Sequence, residues 1–206
     1  VPDTVPLDKA ALCEPLACSW HAVRLAQQAL FGPIEQSKAL VIGGGAIGFG
    51  AAFCLRAAGA HDIVLVEPNA IRRAYLARHC DFTIVAPDQL ASAQEFDLVI
   101  DGVGYGATRA QAVAHTKPGG VIAHIGLGDS VGEMDVRRMT LQEITFIGTY
   151  TFTRQDFRDT ADALFDGRLG AVDWIESRAL SDGQSAFADI LAGATHAPKT
   201  ILKPNG

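Results

Sequence analysis

The chain has little that would tie it to a membrane, a nucleic acid or an oxidising compartment. Its 206 residues hold no apolar run of membrane-spanning length. No stretch reads as a signal peptide. Charged residues are sparse, at 19%, and their balance of −6 has the wrong sign for a phosphate backbone. Only four cysteines occur, Cys13, Cys18, Cys54 and Cys80, and none forms a CxxC pair. Reduced core thiols in the cytoplasm are the simplest expectation. An initiator Met is also lacking: the chain opens at Val1 and is expected to be a piece of something longer.

What is present is apolar residue, 49% of the chain, and glycine, 21 in number. That is enough for one good-sized domain, or a domain with appendages. The glycines concentrate in Lys38-Ala-Leu-Val-Ile-Gly-Gly-Gly-Ala-Ile-Gly48. Ala39–Ile42 is short, apolar and ends at glycine, as a buried strand does. Gly43, Gly45 and Gly48 fit G-x-G-x-x-G, Ala46–Ala58 reads as a helix, and Ile63–Val66 reads as a second buried strand. In such a turn the first glycine permits the tight corner, the second lets backbone approach a pyrophosphate, and the third lets helix pack on strand. The helix N-terminus, from Ala46 and Ile47 onward, would then face the phosphates. Glu67 ends the second strand, where a carboxylate can accept both ribose hydroxyls of an adenosine. The rivals are a glycine-rich turn that binds nothing and a methyltransferase, which also closes its second strand with an acid.

The remaining pattern alternates. Before the first strand, Leu7–Leu12 suits a short helix and Pro15 the first turn of another, running to about Phe31 and stopping at Gly32-Pro33. Glu14 sits just before that helix, either as a carboxylate favoured by the helix dipole or as a site carboxylate. Beyond Glu67, Asn69 caps a helix to about Arg78, and Arg72 or Arg73 could reach the ribose edge, pair with Glu67 or simply face solvent. Phe82–Val85, Phe96–Asp101, Val121–Ile125 and Ile144–Gly148 read as strands, Thr108–His115 as a helix, and residues 129–140 as irregular. Strands alternating with helices predict a doubly wound, six-stranded parallel sheet whose glycine-bearing ends, at 43–48, 102–104, 126–128 and 148, gather at one crevice. Thr153–Gly167 reads as a helix, Ile175–Leu180 as a strand, Gly183–Ala192 as a helix and Lys199–Leu202 as a last strand; together these are expected to form an appendage that leaves the sheet and returns elsewhere.

The order of these pieces resembles the zinc-containing medium-chain dehydrogenase/reductase family, especially its polyol and threonine dehydrogenase branch. The residues that carry this are Ala11-Leu-Cys-Glu-Pro-Leu-Ala17 with His21-Ala-Val-Arg24, Val41–Gly48, Val66-Glu-Pro with Arg72, Pro118-Gly-Gly-Val with Gly126, Glu143–Gly148, Phe165-Asp-Gly167 and Ala186-Phe187. The resemblance implies a Rossmann domain for NAD(P) over residues 32–170, preceded by a helical segment, 1–31, and followed by a tail, 171–206, that returns toward a GroES-like catalytic domain missing here. It implies that Gly43, Gly45, Ala46, Ile47, Gly48, Glu67, Arg72, Val103, Leu127, Thr149 and Lys199 hold the dinucleotide. Backbone at 125–127 and 149–151 would lie near the carboxamide, Cys18 would pack on the nicotinamide face, and Lys199 would reach the pyrophosphate. It also places Glu14 in or near a zinc shell, whose other ligands would precede Val1.

A 2′-phosphate beside Glu67 would set anion against anion, so NAD is expected over NADP. Expected partners are the dinucleotide, a small alcohol or polyol, and a second copy of the chain joined through the Ile144–Gly148 edge. Tyr150 and Phe152 are candidate walls of a substrate pocket. The competing expectations are a zinc-free quinone or enoyl reductase of the same superfamily and a non-catalytic dinucleotide sensor.

Overall fold

Apolar runs set the sheet, and polar or glycine-rich breaks set its ends. In the computed structural model, which describes residues 1–204, the first run forms β1 (Lys38–Ile42) and the second β2 (Asp62–Val66), each with one exposed residue followed by four buried ones. The strands β3 (Thr83–Val85), β4 (Phe96–Asp101), β5 (Thr116–His124) and β6 (Thr145–Gly148) complete a parallel sheet in the order β3-β2-β1-β4-β5-β6. This is the doubly wound, six-stranded arrangement expected from the alternation, and strand order reverses between β1 and β4.

Helices cover both faces. On one lie α2 (Cys13–Ala29) and α3 (Ala46–Ala57), whose Leu16, Val23, Phe49 and Leu55 meet Val41, Leu65 and Ile100 of the strands. On the other, Ala112 and Val113 of α5 (Gly106–His115) pack with Leu40, Val64, Val99 and Ile122. A short α1 (Leu7–Ala10) precedes α2. Between β2 and β3, α4 (Ala70–Leu76) is capped as expected: the Asn69 side chain accepts from the N–H groups of Ile71 and Arg72.

Several local expectations change. The α2 helix begins at Cys13, so Glu14 lies within its first turn rather than ahead of it. Residues 129–140 are not wholly irregular: Asp135 accepts from the Arg138 N–H and starts α6 (Val136–Leu141). The strand expected over Val121–Ile125 opens earlier, at Thr116, with a register shift opposite Phe96 and Leu98. Pro118-Gly-Gly120 is absorbed in that irregularity, Gly119 taking φ +72°. The edge strand starts at Thr145, Ile144 being buried just before it.

Beyond the sheet, Thr153 caps α7 (Arg154–Phe165) by accepting from the Asp156 N–H, and Gly167 closes it at φ +84°. The appendage consists of β7 (Ile175–Ala179), α8 (Gly183–Leu191) and β8 (Lys199–Lys203); β7 and β8 pair in parallel as a separate two-stranded sheet. It is anchored by Trp174, fully buried against Phe49 and Phe53 of α3. The last two residues of the expected tail, Asn205 and Gly206, lie outside the described residues. No described helix is long and apolar enough to cross a membrane.

Candidate functional site

The turn from β1 into α3 is built by contact. Gly43 has φ +99°, and a Cβ there would meet Val103 Cγ2 at 2.5 Å. A Cβ on Gly48 would lie 1.9 Å from the Gly43 carbonyl oxygen, so only glycine lets the helix start this close to the strand. Gly45 differs: it has an ordinary extended backbone, φ −76°, and nothing lies within 4 Å of where its Cβ would be. That open side faces a cleft of about 440 Å³, lined by Gly45, Ala46, Arg72, Phe187, Lys199 and Thr200 among others. The first N–H groups of α3 have no partner within the helix and lie at this turn. The cleft thus collects the second glycine, a helix N-terminus and two cations, the requirements of a pyrophosphate.

Glu67 does not line that cleft but sits against the same glycine turn and is 4% exposed. Its Oε2 accepts from the Gly44 N–H at 2.9 Å and its Oε1 from the Asn69 N–H at 2.8 Å. The carboxylate is therefore aimed at the glycine turn and fixed there. Each oxygen has a further lone pair for a hydroxyl donor. Gly44, not singled out in the sequence, is required by this arrangement: a Cβ there would come 2.9 Å from Glu67 Oε2 and 2.6 Å from Leu76 Cδ1.

The two arginines divide their work. Arg72 Nη1 lies 3.9 Å from Glu67 Oε2, its Nη2 donates to the Thr195 carbonyl at 3.2 Å, and its buried Nε has no partner among the described residues. Arg73 turns away and donates to the carbonyls of Glu67 and Pro68. Ile47 is tied to α2 through its carbonyl, which accepts from Ser19 Oγ at 2.8 Å.

The loops after β4, β5 and β6 form the other half. The Gly128 N–H donates to the Val103 carbonyl, which brings the loop bearing Leu127 onto Val103, while Leu127 itself is 84% exposed. Thr149 donates both its N–H and its Oγ–H to the His124 carbonyl. Thr151 beside it holds φ +50°, a strained conformation for a β-branched residue. The glycine-bearing ends at 43–48, 102–104 and 126–128 touch one another, whereas nothing lies within 4 Å of where a Gly148 Cβ would be, on the edge strand. Beneath these loops is Asp101, fully buried, which the sequence reading passed over. Its signal was an acid at a strand end, directly before Gly102-Val-Gly104.

Cys18 and Glu14 both lie on α2. Burial, with the Glu14 carboxylate adding to it, pushes the Cys18 thiol up, so it packs as an uncharged group. Glu14 is exposed on the first turn of α2. Among the described residues no three His, Cys, Asp or Glu side chains converge in a way that could hold a metal ion. The donors present therefore do not make a zinc site by themselves.

Comparison with known proteins gives a consistent result. A family model described as zinc-binding dehydrogenase matches residues 46–166. All of the chain aligns with 52% of a probable diacetyl reductase [(R)-acetoin forming] from Saccharomyces cerevisiae, at 34% identity. An (R,R)-butanediol dehydrogenase of the same yeast is 27% identical over 57% of its length. The chain thus spans about half the length of these relatives. Among solved structures, 2R,3R-butanediol dehydrogenase from Bacillus subtilis superposes with a TM-score of 0.85, covering 100% of this chain and 60% of that one at 23% identity. Acetophenone reductase from Geotrichum candidum, solved in complex with NAD, gives 0.85 over 98% of this chain and 57% of that one, also at 23% identity.

Proposed function

This chain belongs to the zinc-containing medium-chain dehydrogenase/reductase family, and from that membership we propose that it holds NAD for hydride exchange with a small secondary alcohol or polyol. Residues 32–170 act as the NAD-binding unit, residues 1–31 lead into it, and the tail from 171 onward closes over the cofactor and turns toward a catalytic domain. The observation that carries the reading is the cleft in which the open side of Gly45 meets Arg72 and Lys199, with Glu67 fixed at the turn below.

Bound NAD supplies the chemistry, a hydride accepted at or released from the nicotinamide ring. The residues of the chain supply position. Glu67 accepts from the adenosine ribose, and its charge disfavours a 2′-phosphate. Gly45 and the start of α3 receive the pyrophosphate, with Lys199 and Arg72 balancing its charge. Val103, Leu127 and Thr149 frame the nicotinamide end, where Tyr150 and Phe152 could wall a substrate. Zinc enters this proposal only through Glu14, one exposed carboxylate, so any catalytic zinc would draw its other ligands from outside these residues. The exposed β6 edge suits pairing with a second copy into one continuous sheet; sedimentation as a 21.7 kDa monomer would overturn that part.

Isothermal titration of the chain tests the reading. NADH is expected to bind, NADPH to bind more weakly and S-adenosylmethionine not to bind. Failure of NADH to bind, or preferential binding of S-adenosylmethionine, would overturn it. The isolated chain is also expected to oxidise no alcohol, and zinc-dependent turnover by it would defeat the division of labour proposed here.

A further inference from the structure

Asp101 gathers six donors. Its Oδ1 accepts from the N–H groups of Val103 and Gly104 at 3.0 and 2.9 Å. Its Oδ2 accepts from Thr108 Oγ and pairs with His124 Nδ1, each at 3.1 Å. Its carbonyl oxygen accepts from the N–H groups of Ile125 and Gly126 at 2.9 and 3.1 Å. One residue therefore holds the loop after β4, the loop after β5 and the start of α5. His124 extends the network, because its own carbonyl receives Thr149 from the loop after β6.

The two loops are in backbone contact where Asp101 holds them. A Cβ on Gly104 would lie 2.1 Å from the Gly126 oxygen, and one on Gly126 would lie 2.1 Å from the Val103 carbonyl carbon. Loops packed this closely have one arrangement, and a fully buried carboxylate with every donor in place selects it. The residues around the adenosine end, Gly44, Glu67, Arg72 and Asn69, hydrogen-bond among themselves and to Thr195 and Gly193, not to Asp101.

We propose that Asp101 is a positioning residue for the nicotinamide half of the cofactor. It fixes the loops at 103–104 and 125–126 as one surface, and through His124 it adds Thr149 to that surface. This inference rests on the reading of the cleft as a dinucleotide site. Its consequence is selective: loosening the surface weakens contacts to nicotinamide and leaves those to adenosine diphosphate and its riboses unchanged.

The test compares NADH with ADP-ribose, which lacks only the nicotinamide. Asp101→Ala is expected to weaken NADH by about tenfold while ADP-ribose stays within about twofold. Asp101→Asn keeps an oxygen for Val103 and Gly104 and is expected to recover NADH affinity to within about threefold of wild type. A merely structural Asp101 would weaken both ligands in parallel, and that result, or unchanged NADH affinity, would overturn the proposal. Should Asp101→Ala fail to fold, Thr108→Val removes the hydroxyl that bonds both Oδ2 and the exposed Tyr105 N–H without emptying space, and the same selective loss is expected, at about threefold; equal affinities would then overturn it. Failure of the wild-type chain to bind either ligand would instead overturn the dinucleotide reading itself.

Discussion

At the scale of single residues, two glycines three positions apart should respond in opposite ways. Gly48 has no room for a side chain, since a methyl would strike the Gly43 carbonyl. Gly45 has both room and a backbone that any residue adopts. Gly48→Ala is therefore expected to cost about 3 kcal/mol or more in a urea melt, the range of a backbone clash in a packed core. Gly45→Ala is expected to leave stability within about 0.5 kcal/mol while its methyl projects into the cleft and reduces NADH affinity by at least about tenfold. Equal stability of the two variants would contradict the geometry of the turn. Glu67→Ser carries a double expectation. The NADPH-to-NADH discrimination, read by titration, should fall by about tenfold once the like charge is gone. Stability should fall by about 2 kcal/mol, because the N–H groups of Gly44 and Asn69 lose their acceptor. An unchanged affinity ratio would refute the specificity role. The first half of this could be read from the amino-acid order, because an acid at that strand end has a known geometric use. The second half could not, since nothing in the spacing says that Gly44 donates to the same oxygen.

At the scale of elements, α7 is pinned to α2 by one buried carboxylate. Asp156, 1% exposed, accepts from Arg24 Nε at 2.6 Å, from the Thr153 N–H at 2.9 Å, and pairs with His21 Nδ1 at 2.8 Å. Burial alone would raise its carboxyl, but Arg24, Thr153 and His21 outweigh that and hold it well below the usual carboxylate range. A depressed folded value contributes stability that is complete above the unfolded value of about 3.9 and is lost only as pH falls through the folded one. The α2–α7 contact should therefore survive acid that titrates ordinary carboxylates. Arg24→Leu leaves Asp156 buried with only Thr153 and His21 as partners, and is expected to cost about 3 kcal/mol at pH 7, near the low end for buried pairs because the Arg24 side chain is 34% exposed. Circular dichroism against pH should show the variant unfolding at higher pH than wild type; coincident acid transitions would sink this account. His21 and Arg24 fall within the family-like motif around α2, yet their role is visible only when Asp156, more than a hundred positions away, is brought beside them. The same distance effect explains the misread elements. The α6 helix escapes a local reading because it is only six residues long, Val136-Arg-Arg-Met-Thr-Leu141, less than two turns in which to show a period. The early part of β5 escapes because Pro118-Gly-Gly120 reads as a turn, while pairing with β4 overrides that tendency.

At the scale of the whole molecule, the cleft is closed by parts that could not fold alone. A two-stranded sheet such as β7–β8 is marginal without support. Here the support is Trp174 on α3, the Lys9 Nζ donation to the Ala171 carbonyl, the Lys203–Asp8 pair, and the donations of Asn69 and Arg72 to the Gly193 and Thr195 carbonyls. The last two come from α4 and its cap, so the tail is held by residues beside Glu67, at the proposed adenosine end. Of this, only the existence of the last strand was expected, with the tail turned toward a catalytic domain; the β7–β8 pairing and the α4 contacts depend on a tertiary arrangement that no local pattern records. It makes a prediction about dynamics. Any opening of β8 or α8 pulls Lys199 and Phe187 from the cleft, so under the proposed reading bound NADH is expected to oppose it. At a hundredfold excess over Kd, hydrogen exchange of amides in 183–203 should slow by about a hundredfold, or about 2.7 kcal/mol, whereas amides that open without breaking the cleft, such as those of α1, should keep their rates. Exchange in the tail that ignores a bound dinucleotide would mean that α8 and Lys199 take no part in holding it, and the site would then reduce to the glycine turn and Glu67.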